Sequence, residues 1–415
     1  MTPPLEEDRS RHAVCKLKTA LRLIAGRDVY VPTRAYPAFQ PSRFARALQM
    51  GNSLLNLPLS VAPKSVFVSG RTLAYLSGNI EYFTDHVGRR AVQSLARKQP
   101  FFVVSSDPGV SIASFLGCDT IPAPKLHLSS QCVVVVTAHY RGAPAVFHVG
   151  SCEESRAEIL RQAAGLGLAA MVPGLQGLVP ELTKQYRSGV DLEISIETEV
   201  RGAPMPFRWQ RIDAVLELWP SGSGAGPTTG LARPCLPEEL AKLCDRLPGH
   251  HDSLRPLAES LLKWHSALRM PGEITHGDLW LGNVLFAGDA ITGLVDWEWA
   301  RDDGLRVVDA LQLLFMSYSV FRDTSISESL RQFWTNSIED RELNDRLAEL
   351  CRRFGISEND LKFAALLLWF DHLRERTIRG RMPSRSWTED MLSRTIPVIH
   401  GWLSGQKRGT REATA

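Results

Sequence analysis

The segment that most constrains this chain lies between His276 and Glu298, where the sequence reads HGDLWLGNVLF, AGDAITG and LVDWE in succession. After Asn283, the pattern predicts a short apolar strand, a Gly-Asp turn and a returning strand. The return brings Asp296 back near Asn283. Because Asp278 comes just before this hairpin, the sequence predicts a group of oxygen-bearing side chains around one hairpin.

These side chains suit the transfer of a phosphoryl group from a nucleotide. That reaction needs a carboxylate that orients and deprotonates the acceptor hydroxyl, and oxygen ligands that hold Mg²⁺ on the phosphates. Asp278 lies two residues after His276 and five before Asn283, which is the H-x-D-x-x-x-x-N spacing of the protein-kinase catalytic loop. Gly277 stands where that loop usually carries arginine. The spacing therefore predicts a phosphotransferase.

The sequence HGDLWLGN followed by LVDWEWA resembles the aminoglycoside phosphotransferase and choline kinase family, whose fold is similar to that of protein kinases. The DWE triplet, where protein kinases have DFG, favours the small-molecule branch. The resemblance implies that Asp278 is the catalytic base, that His276 orients the loop, and that Asn283 and Asp296 bind magnesium. It also implies that Asp309, in GLRVVDALQLL, opens a helix behind the loop and caps the loop backbone.

Upstream, the pattern predicts two strands followed by a helix. Cys132 to Tyr140 (CVVVVTAHY) and Ala145 to Val149 (AVFHV) are rich in β-branched residues and flank the turn RGAP, which is typical of a hairpin. Ser151 to Leu166 then follows as a helix. Two strands and a helix are the pattern of a kinase small lobe.

In that lobe a lysine on the second strand contacts the α and β phosphates and pairs with a helix glutamate. His148 occupies the matching position, and Glu158 is the best match for the glutamate. Lys125 is an alternative source of the positive charge. The nucleotide loop has two candidates, 105–110 and 128–132, and the sequence does not decide between them.

The segment from Asp191 to Val200 alternates apolar and polar residues, which predicts a half-buried strand. It runs into Arg-Gly-Ala-Pro, and this resembles the family's hinge, where backbone groups bind the adenine edge. The resemblance implies that Thr198 and Val200 make those contacts. An ordinary strand end is the alternative.

The predicted fold class is α+β, a two-lobed protein-kinase-like fold with a small β-rich lobe, a larger helical lobe and an amino-terminal extension. The predicted domains are a basic extension at 1–100, a small nucleotide-binding lobe at 101–203, a helical catalytic and substrate lobe at 204–403, and a disordered tail at 404–415. Five helical segments after the site support the helical lobe.

Charge is distributed unevenly along the chain. The first hundred residues carry 15 Lys plus Arg against 6 Asp plus Glu, and the remainder carries 33 against 39. A basic extension can favour an anionic partner such as nucleic acid, an anionic lipid surface or a phosphorylated glycan, although a solvated basic face without a partner is the alternative.

Other features exclude some classes of protein. The seven cysteines form no C-x-x-C pair, which argues against a disulfide framework and a zinc site. The amino terminus has no apolar signal region, and the longest apolar stretch, Phe363 to Phe370, is far shorter than a membrane span. These features predict a cytoplasmic protein without a transmembrane segment.

The predicted function is ATP-dependent transfer of the γ-phosphate to a hydroxyl of a small molecule or glycan, with ATP and Mg²⁺ as cofactors. The acceptor stays open among aminoglycosides, choline-like alcohols, sugars and fructosamines. The alternative is a pseudokinase, a nucleotide-binding or interaction module, which His148 in place of lysine favours. A metal-dependent hydrolase is a weaker alternative, since no further His or Asp cluster completes a metal site.

Overall fold

The computed structural model divides into two compact units, Met1–Ala163 with Glu181–Glu199 and Ala164–Pro180 with Val200–Ala415. The structure describes the strands at 57–58, 66–67, 103–104 and 125–128, together with residues 133–150, 152–187, 193–218, 232–268, 270–378 and 385–412. The first unit is rich in β-structure and the second is mainly helical. The predicted α+β class, with a β-rich lobe and a larger helical lobe, is confirmed.

The β-rich unit is built on an antiparallel sheet in the strand order β1-β4-β5-β6-β8-β7. Its strands are β1 (Leu57–Pro58), β4 (Lys125–Leu128), β5 (Val134–Tyr140), β6 (Ala143–Gly150), β7 (Leu182–Arg187) and β8 (Glu193–Thr198). A separate pair joins β2 (Val66–Phe67) to β3 (Val103–Val104). Helix α1 (Glu153–Ala169) follows β6. The predicted order of two strands and a helix is confirmed.

The β5–β6 hairpin forms because its turn has the required backbone freedom. Arg141 and Gly142 have φ of 51° and 80°, as a tight hairpin turn of the primed type needs at both central positions. Phe147 and Val149 alternate with half-buried neighbours, so one face of β6 packs on the core. The other face carries His148.

The helical unit contains nine helices among its described residues. They are α2 (Trp209–Leu218), α3 (Leu236–Arg246), α4 (His251–Leu268), α5 (Arg306–Phe321), α6 (Ile326–Trp334), α7 (Arg341–Phe354), α8 (Glu358–Ile378), α9 (Arg385–Thr388) and α10 (Thr395–Glu412). A π-helical turn, Glu389–Arg394, joins the last two. The final helix continues past residue 403, where the helical lobe was predicted to end.

The core of the helical unit is centred on α5 and α8, which contact each other. Almost every residue of α5 is buried, as expected for a helix that is apolar on all sides. By contrast, α7 is amphipathic, and its ends are fixed locally: the Asp340 side chain accepts from the Leu343 N–H, and Gly355 ends the helix with φ of 64°.

Two short strand pairs in this unit position the predicted site. β9 (Glu273–Thr275) pairs with β12 (Arg301–Gly304), and β10 (Val284–Ala287) pairs with β11 (Ala290–Leu294), both antiparallel. The catalytic-loop sequence connects β9 to β10. Among the described residues, no helix has both the length and the apolar character needed to cross a bilayer.

Several predictions concern residues that the structure does not describe. These are the candidate nucleotide loop at 105–110, residues 129–132 of the other candidate loop, and nearly all of the basic extension at 1–100.

Candidate active site

The β10–β11 hairpin brings Asn283 and Asp296 together, as predicted. A single helical turn, Leu281–Asn283, precedes β10. Val284 lies opposite Leu294 in the hairpin, and the pairing extends one step further because the Val295 N–H donates to the Asn283 carbonyl at 3.0 Å. Asp296 therefore directly follows Val295, the residue whose backbone pairs with Asn283.

Asp278 is held by amide side chains on both carboxylate oxygens. Asn283 Nδ2 donates to the Asp278 carbonyl at 2.8 Å and to Oδ2 at 3.2 Å. Gln312 Nε2, on α5, donates to Oδ1 at 2.8 Å. Gln312 is buried, so the carboxylate has a fixed orientation. Hydrogen bonds of this kind favour the ionised form of a carboxylate.

His276 links the two ends of the site through a neutral imidazole. Its Nδ1 accepts from the Asp278 N–H at 3.3 Å, so Nε2 carries the hydrogen and donates to the Val295 carbonyl at 3.0 Å. The side chain is fully buried beside the Trp297 ring, and burial lowers the pKa of His276 to about 4. The ring therefore ties the residue that precedes Asp296 to the backbone of Asp278.

Asp309 caps the backbone of the loop, as the family resemblance implied. From the first turn of α5, its Oδ2 accepts from the His276 N–H at 2.6 Å and its Oδ1 from the Gly277 N–H at 2.9 Å. Burial raises the pKa of Asp309 to about 7, against the effect of these two hydrogen bonds and of Arg306. The buried carboxylate thus satisfies two backbone N–H groups of the loop.

The position of Gly277 explains why the arginine of the protein-kinase loop is missing here. Gly277 has φ of +77°, and a Cβ atom built on it would lie 2.1 Å from the Trp299 carbonyl oxygen. That contact is with backbone, which cannot move aside like a flexible side chain. Only glycine fits this close approach between the loop and the segment before β12.

Asp296 has a strained backbone for a residue with a side chain. Its φ is +68°, in the left-handed region that aspartate tolerates better than most residues. The next residue, Trp297, is fully buried and donates from Nε1 to the Leu294 carbonyl at 3.0 Å. This anchor holds the turn at Asp296.

An ion network fixes β12 behind the loop. Arg233 donates to both oxygens of Asp371 at 2.8 Å and 2.9 Å, and Glu239 accepts from Arg233 at 2.6 Å and from Arg301 at 2.9 Å. Burial alone would raise the pKa of Asp371, but the guanidinium groups, Arg233 above all, lower it to about 2. The network lines a pocket that also reaches Gly277 and Gln312. The charged side chains of the network form ion pairs with one another.

The predicted nucleotide contacts lie in and just after the β-rich unit. His148 is half-buried on β6, with Nε2 3.4 Å from Glu197 Oε1, and Glu158 is half-buried on α1. Thr198 ends β8; its N–H donates to the Glu181 carbonyl at 3.0 Å and its Oγ1 accepts from the Glu181 N–H at 2.8 Å. These two atoms are thus engaged within the sheet.

Val200 begins the helical unit, and its side chain packs close to Gly293, where an added Cβ would lie 2.3 Å from a Val200 methyl group. The roles of His148, Glu158, Thr198 and Val200 in binding a nucleotide stay predictions.

Residues 212–343 match the family model described as the phosphotransferase enzyme family. The predicted family resemblance is confirmed for this segment. The phosphotransferase-family segment contains His276, Asp278, Asn283, Asp296 and Asp309. No curated protein matches the chain closely enough to count as a relative.

Solved structures similar to this chain include two aminoglycoside phosphotransferases. One is a thermostable mutant of APH(4)-Ia in ternary complex with ADP and hygromycin B, at 13% identity and a TM-score of 0.46, covering 71% of this chain and 99% of that one. Another is the GDP and kanamycin complex of APH(2")-IIia, at 12% identity and a TM-score of 0.40, covering 71% of this chain and 97% of that one. Likeness at this level carries no argument about the substrate or the reaction.

Two residues of functional interest were missed by sequence reasoning. Gln312 follows Asp309 by three residues on the same helix, and this i, i+3 spacing places both on the side of α5 that faces the loop. That spacing could have predicted that Gln312 faces the loop. No sequence pattern predicts that Glu197 lies beside His148, because this contact depends on which strand pairs with β6.

Proposed function

We propose that this protein transfers the γ-phosphate of ATP to a hydroxyl group of a small molecule or glycan. The observation that carries the proposal is the carboxylate of Asp278, held on both oxygens by Gln312 and Asn283 beside the turn that carries Asp296. Positioning and electrostatic stabilisation supply most of the catalysis in phosphoryl transfer, and this loop is fixed by buried hydrogen bonds.

In the proposed mechanism, Asp278 orients the acceptor hydroxyl and accepts its proton as the oxygen attacks the γ-phosphorus in line with the leaving ADP. The amide groups of Gln312 and Asn283 hold the carboxylate in one orientation. His276 stays neutral and positions the loop. Because its pKa is lowered to about 4, the ring is not an imidazolium acid at neutral pH.

Asn283 and Asp296 are the residues that would bind Mg²⁺. Both Nδ2 hydrogens of Asn283 point at Asp278, which leaves Oδ1 for a cation, and Asp296 supplies a carboxylate. Among the described residues, no group of three or more His, Cys, Asp or Glu side chains could hold a metal. Mg²⁺ at phosphoryl-transfer sites uses one or two protein carboxylates together with phosphates and water, so a small ligand set fits. Bound there, the ion would neutralise charge on the β and γ phosphates.

The proposal assigns nucleotide binding to the β-rich lobe at 101–203, through His148, Glu158, Thr198 and Val200, and catalysis to the helical lobe at 204–403. An anionic partner for the basic residues 1–100 stays a prediction.

The alternative is a pseudokinase that binds a nucleotide or a protein partner without catalysis. One observation favours it: the position expected to hold lysine carries His148, whose neighbour Glu197 is a buried acid.

Measurements of ATP turnover distinguish the proposed phosphotransferase from the pseudokinase. Purified protein should release ADP from ATP only when Mg²⁺ and an acceptor are present, across a panel of aminoglycosides, choline-like alcohols, sugars and fructosamines. Asp296→Asn should lower turnover and raise the Mg²⁺ concentration needed for half-maximal rate, because a neutral ligand binds the ion more weakly. The control is Asp252→Asn, at a fully exposed side chain. Mg-ATP binding without turnover for any acceptor would favour the pseudokinase.

Gln312→Leu should lower kcat by roughly tenfold to a hundredfold, because it removes a hydrogen bond to a charged group worth about 1.5–3 kcal/mol. KM for the nucleotide should change little. Gln332→Leu, on α6, is the matched control, since the half-buried Gln332 side chain donates to Glu328 at 3.3 Å. Equal kcat values for the two variants would contradict the positioning role of Gln312.

A further inference from the structure

A group of buried and half-buried polar side chains lies on one face of the β-rich sheet, and we call it the Glu197 cluster. It consists of Glu197, His148, Gln162 and Ser195. His148 Nε2 lies 3.4 Å from Glu197 Oε1, and Gln162 Nε2, from α1, donates to Glu197 Oε2 at 3.4 Å. Strand register places the group on one face, because His148 is opposite Ser195 and Val146 is opposite Glu197.

Several polar atoms of the cluster are buried. Glu197 is only 3% exposed, and the Glu197 Oε1, Ser195 Oγ and Gln162 Oε1 atoms are buried without a hydrogen-bond partner among the described residues. Removing an ionised carboxylate from water is costly unless it is paired with a positive charge. Gln162 is neutral, so the group in contact with Glu197 that can supply this charge is the imidazole of His148.

Strand register shows which residues of the neighbouring elements share this face with His148. On β5, Val135 lies opposite His148. On β8, Ser195 is opposite, and Glu197 and Glu193 are diagonal. On β7, Gln185 and Arg187 lie beyond Ser195 and Glu193. Helix α1 adds half-buried charged residues, namely Arg156, Glu158 and Arg161. In β4, beyond β5, the backbone positions in the same rows are Lys125 and His127.

Resting on the nucleotide-dependent function proposed above, we propose that Glu197 is a positioning residue that holds the His148 imidazole in its protonated form, so that His148 binds the nucleotide phosphates. A neighbouring carboxylate favours the charged form of histidine. The adjacent strand β8 thus supplies a carboxylate partner for the phosphate-binding cation. The positive charge depends on pH, unlike that of a lysine.

The proposal makes nucleotide affinity depend on pH. The dissociation constant of Mg-ADP, measured by titration calorimetry, should increase about tenfold or more from about pH 6 to about pH 8.5, on either side of the ordinary histidine pKa. Glu197→Gln should shift this profile to lower pH and weaken binding about threefold to tenfold near neutral pH, where a change of about one unit in the histidine pKa alters the protonated fraction most. His148→Lys should remove the pH dependence, because lysine stays charged throughout this range.

Glu193→Gln is the matched control, because Glu193 lies on the same strand, is half-buried and accepts from Gln185 at 3.3 Å. It should follow the wild-type pH profile. Thermal unfolding of each variant monitors folding, and His148→Lys tests the proposal with Glu197 in place should Glu197→Gln not fold.

Three results would overturn the inference. They are a Glu197→Gln profile identical to that of Glu193→Gln, a His148→Lys variant that keeps the wild-type pH dependence, or loss of binding in Lys125→Ala with no effect of the His148 variants. In each case acceptor-dependent turnover by the wild type would leave the proposed function standing. A wild type that neither binds Mg-ADP at any pH nor turns over ATP would overturn both.

Discussion

Asp278→Asn is expected to lower kcat by about 10²- to 10⁴-fold, the usual contribution of a positioned general base. Asparagine keeps the size of the side chain but cannot accept the proton of the attacking hydroxyl. It also brings an NH₂ group against the amide donor of Gln312 or Asn283, since each carboxylate oxygen now accepts from one of them. The acceptor hydroxyl therefore loses both its base and its orienting group.

The Asp278→Asn substitution should slow the chemical step and leave nucleotide binding nearly unchanged. Asp278 is not among the residues proposed to bind the nucleotide, so the dissociation constant of Mg-ADP should stay within about threefold of wild type, a difference of well under 1.4 kcal/mol. Single-turnover and steady-state rates with the best acceptor of the panel measure kcat, and calorimetry measures ADP binding. Asp252→Asn should keep the wild-type rate. A variant at Asp278 that retained a third of wild-type kcat would remove this residue from the mechanism.

The sequence was sufficient for the parts of the site that are close together along the chain. Asp278, Asn283 and Asp296 belong to one loop and one hairpin, and a hairpin of fixed length leaves little choice about which residues meet. The pairing of Val295 with Asn283 follows directly from that length. His276 joins the same two segments for the same reason.

Distant contacts were predicted only where the family resemblance supplied them. The cap from Asp309 crosses 32 and 33 residues of chain to reach Gly277 and His276, and no local spacing would have revealed it. Gln312 makes a contact of similar range that the resemblance did not mention. The pairing of His148 with Glu158 stays a prediction. The structure also places Glu197, on the neighbouring strand, 3.4 Å from His148, and the sequence patterns did not supply this contact between adjacent strands.

The sequence patterns also did not predict the backbone conformations at Gly277 and Asp296. Gly277 was noted as a departure from the kinase spacing, and its reason is the 2.1 Å approach to the Trp299 carbonyl that a Cβ would make. The positive φ of Asp296 has no signature in LVDWE. Both features arise from how β9, β12 and the hairpin pack, which is a tertiary property.

Asp309→Ala is expected to be the most destabilising single change at the site. Asp309 is buried and accepts from the N–H groups of His276 and Gly277, and each buried N–H left without an acceptor costs about 1–3 kcal/mol. The combined loss, about 2–6 kcal/mol, is a large part of the stability of an ordinary domain. Urea unfolding measures the loss, with Asp345→Ala on the exposed side of α7 as the control. A loss equal to that of the control would show that the loop does not depend on this cap.

The charge of Asp309 adds a dependence on pH whose sign follows from its pKa. Burial raises the pKa of Asp309 to about 7 in the folded protein, above the ordinary value near 4, so the folded state binds the proton more tightly. The stability that this group contributes is therefore complete below about pH 4 and is lost as pH rises through about 7. His276 acts in the opposite sense. Burial lowers its pKa to about 4, so its contribution is complete above about pH 6.5 and is lost as pH falls through about 4.

Asp309→Asn should separate these two opposing contributions. Asparagine cannot titrate, so of this pair only His276 remains, and the free energy of unfolding should rise with pH between about 4 and 6.5 more steeply than in the wild type. Urea unfolding at half-unit pH steps gives both curves, and their difference cancels the titration of groups elsewhere in the chain. Asp252→Asn should run parallel to the wild type. If Asp309→Asn does so as well, the Asp309 carboxyl titrates alike in the folded and unfolded states, and the cap holds the loop without any linkage to pH.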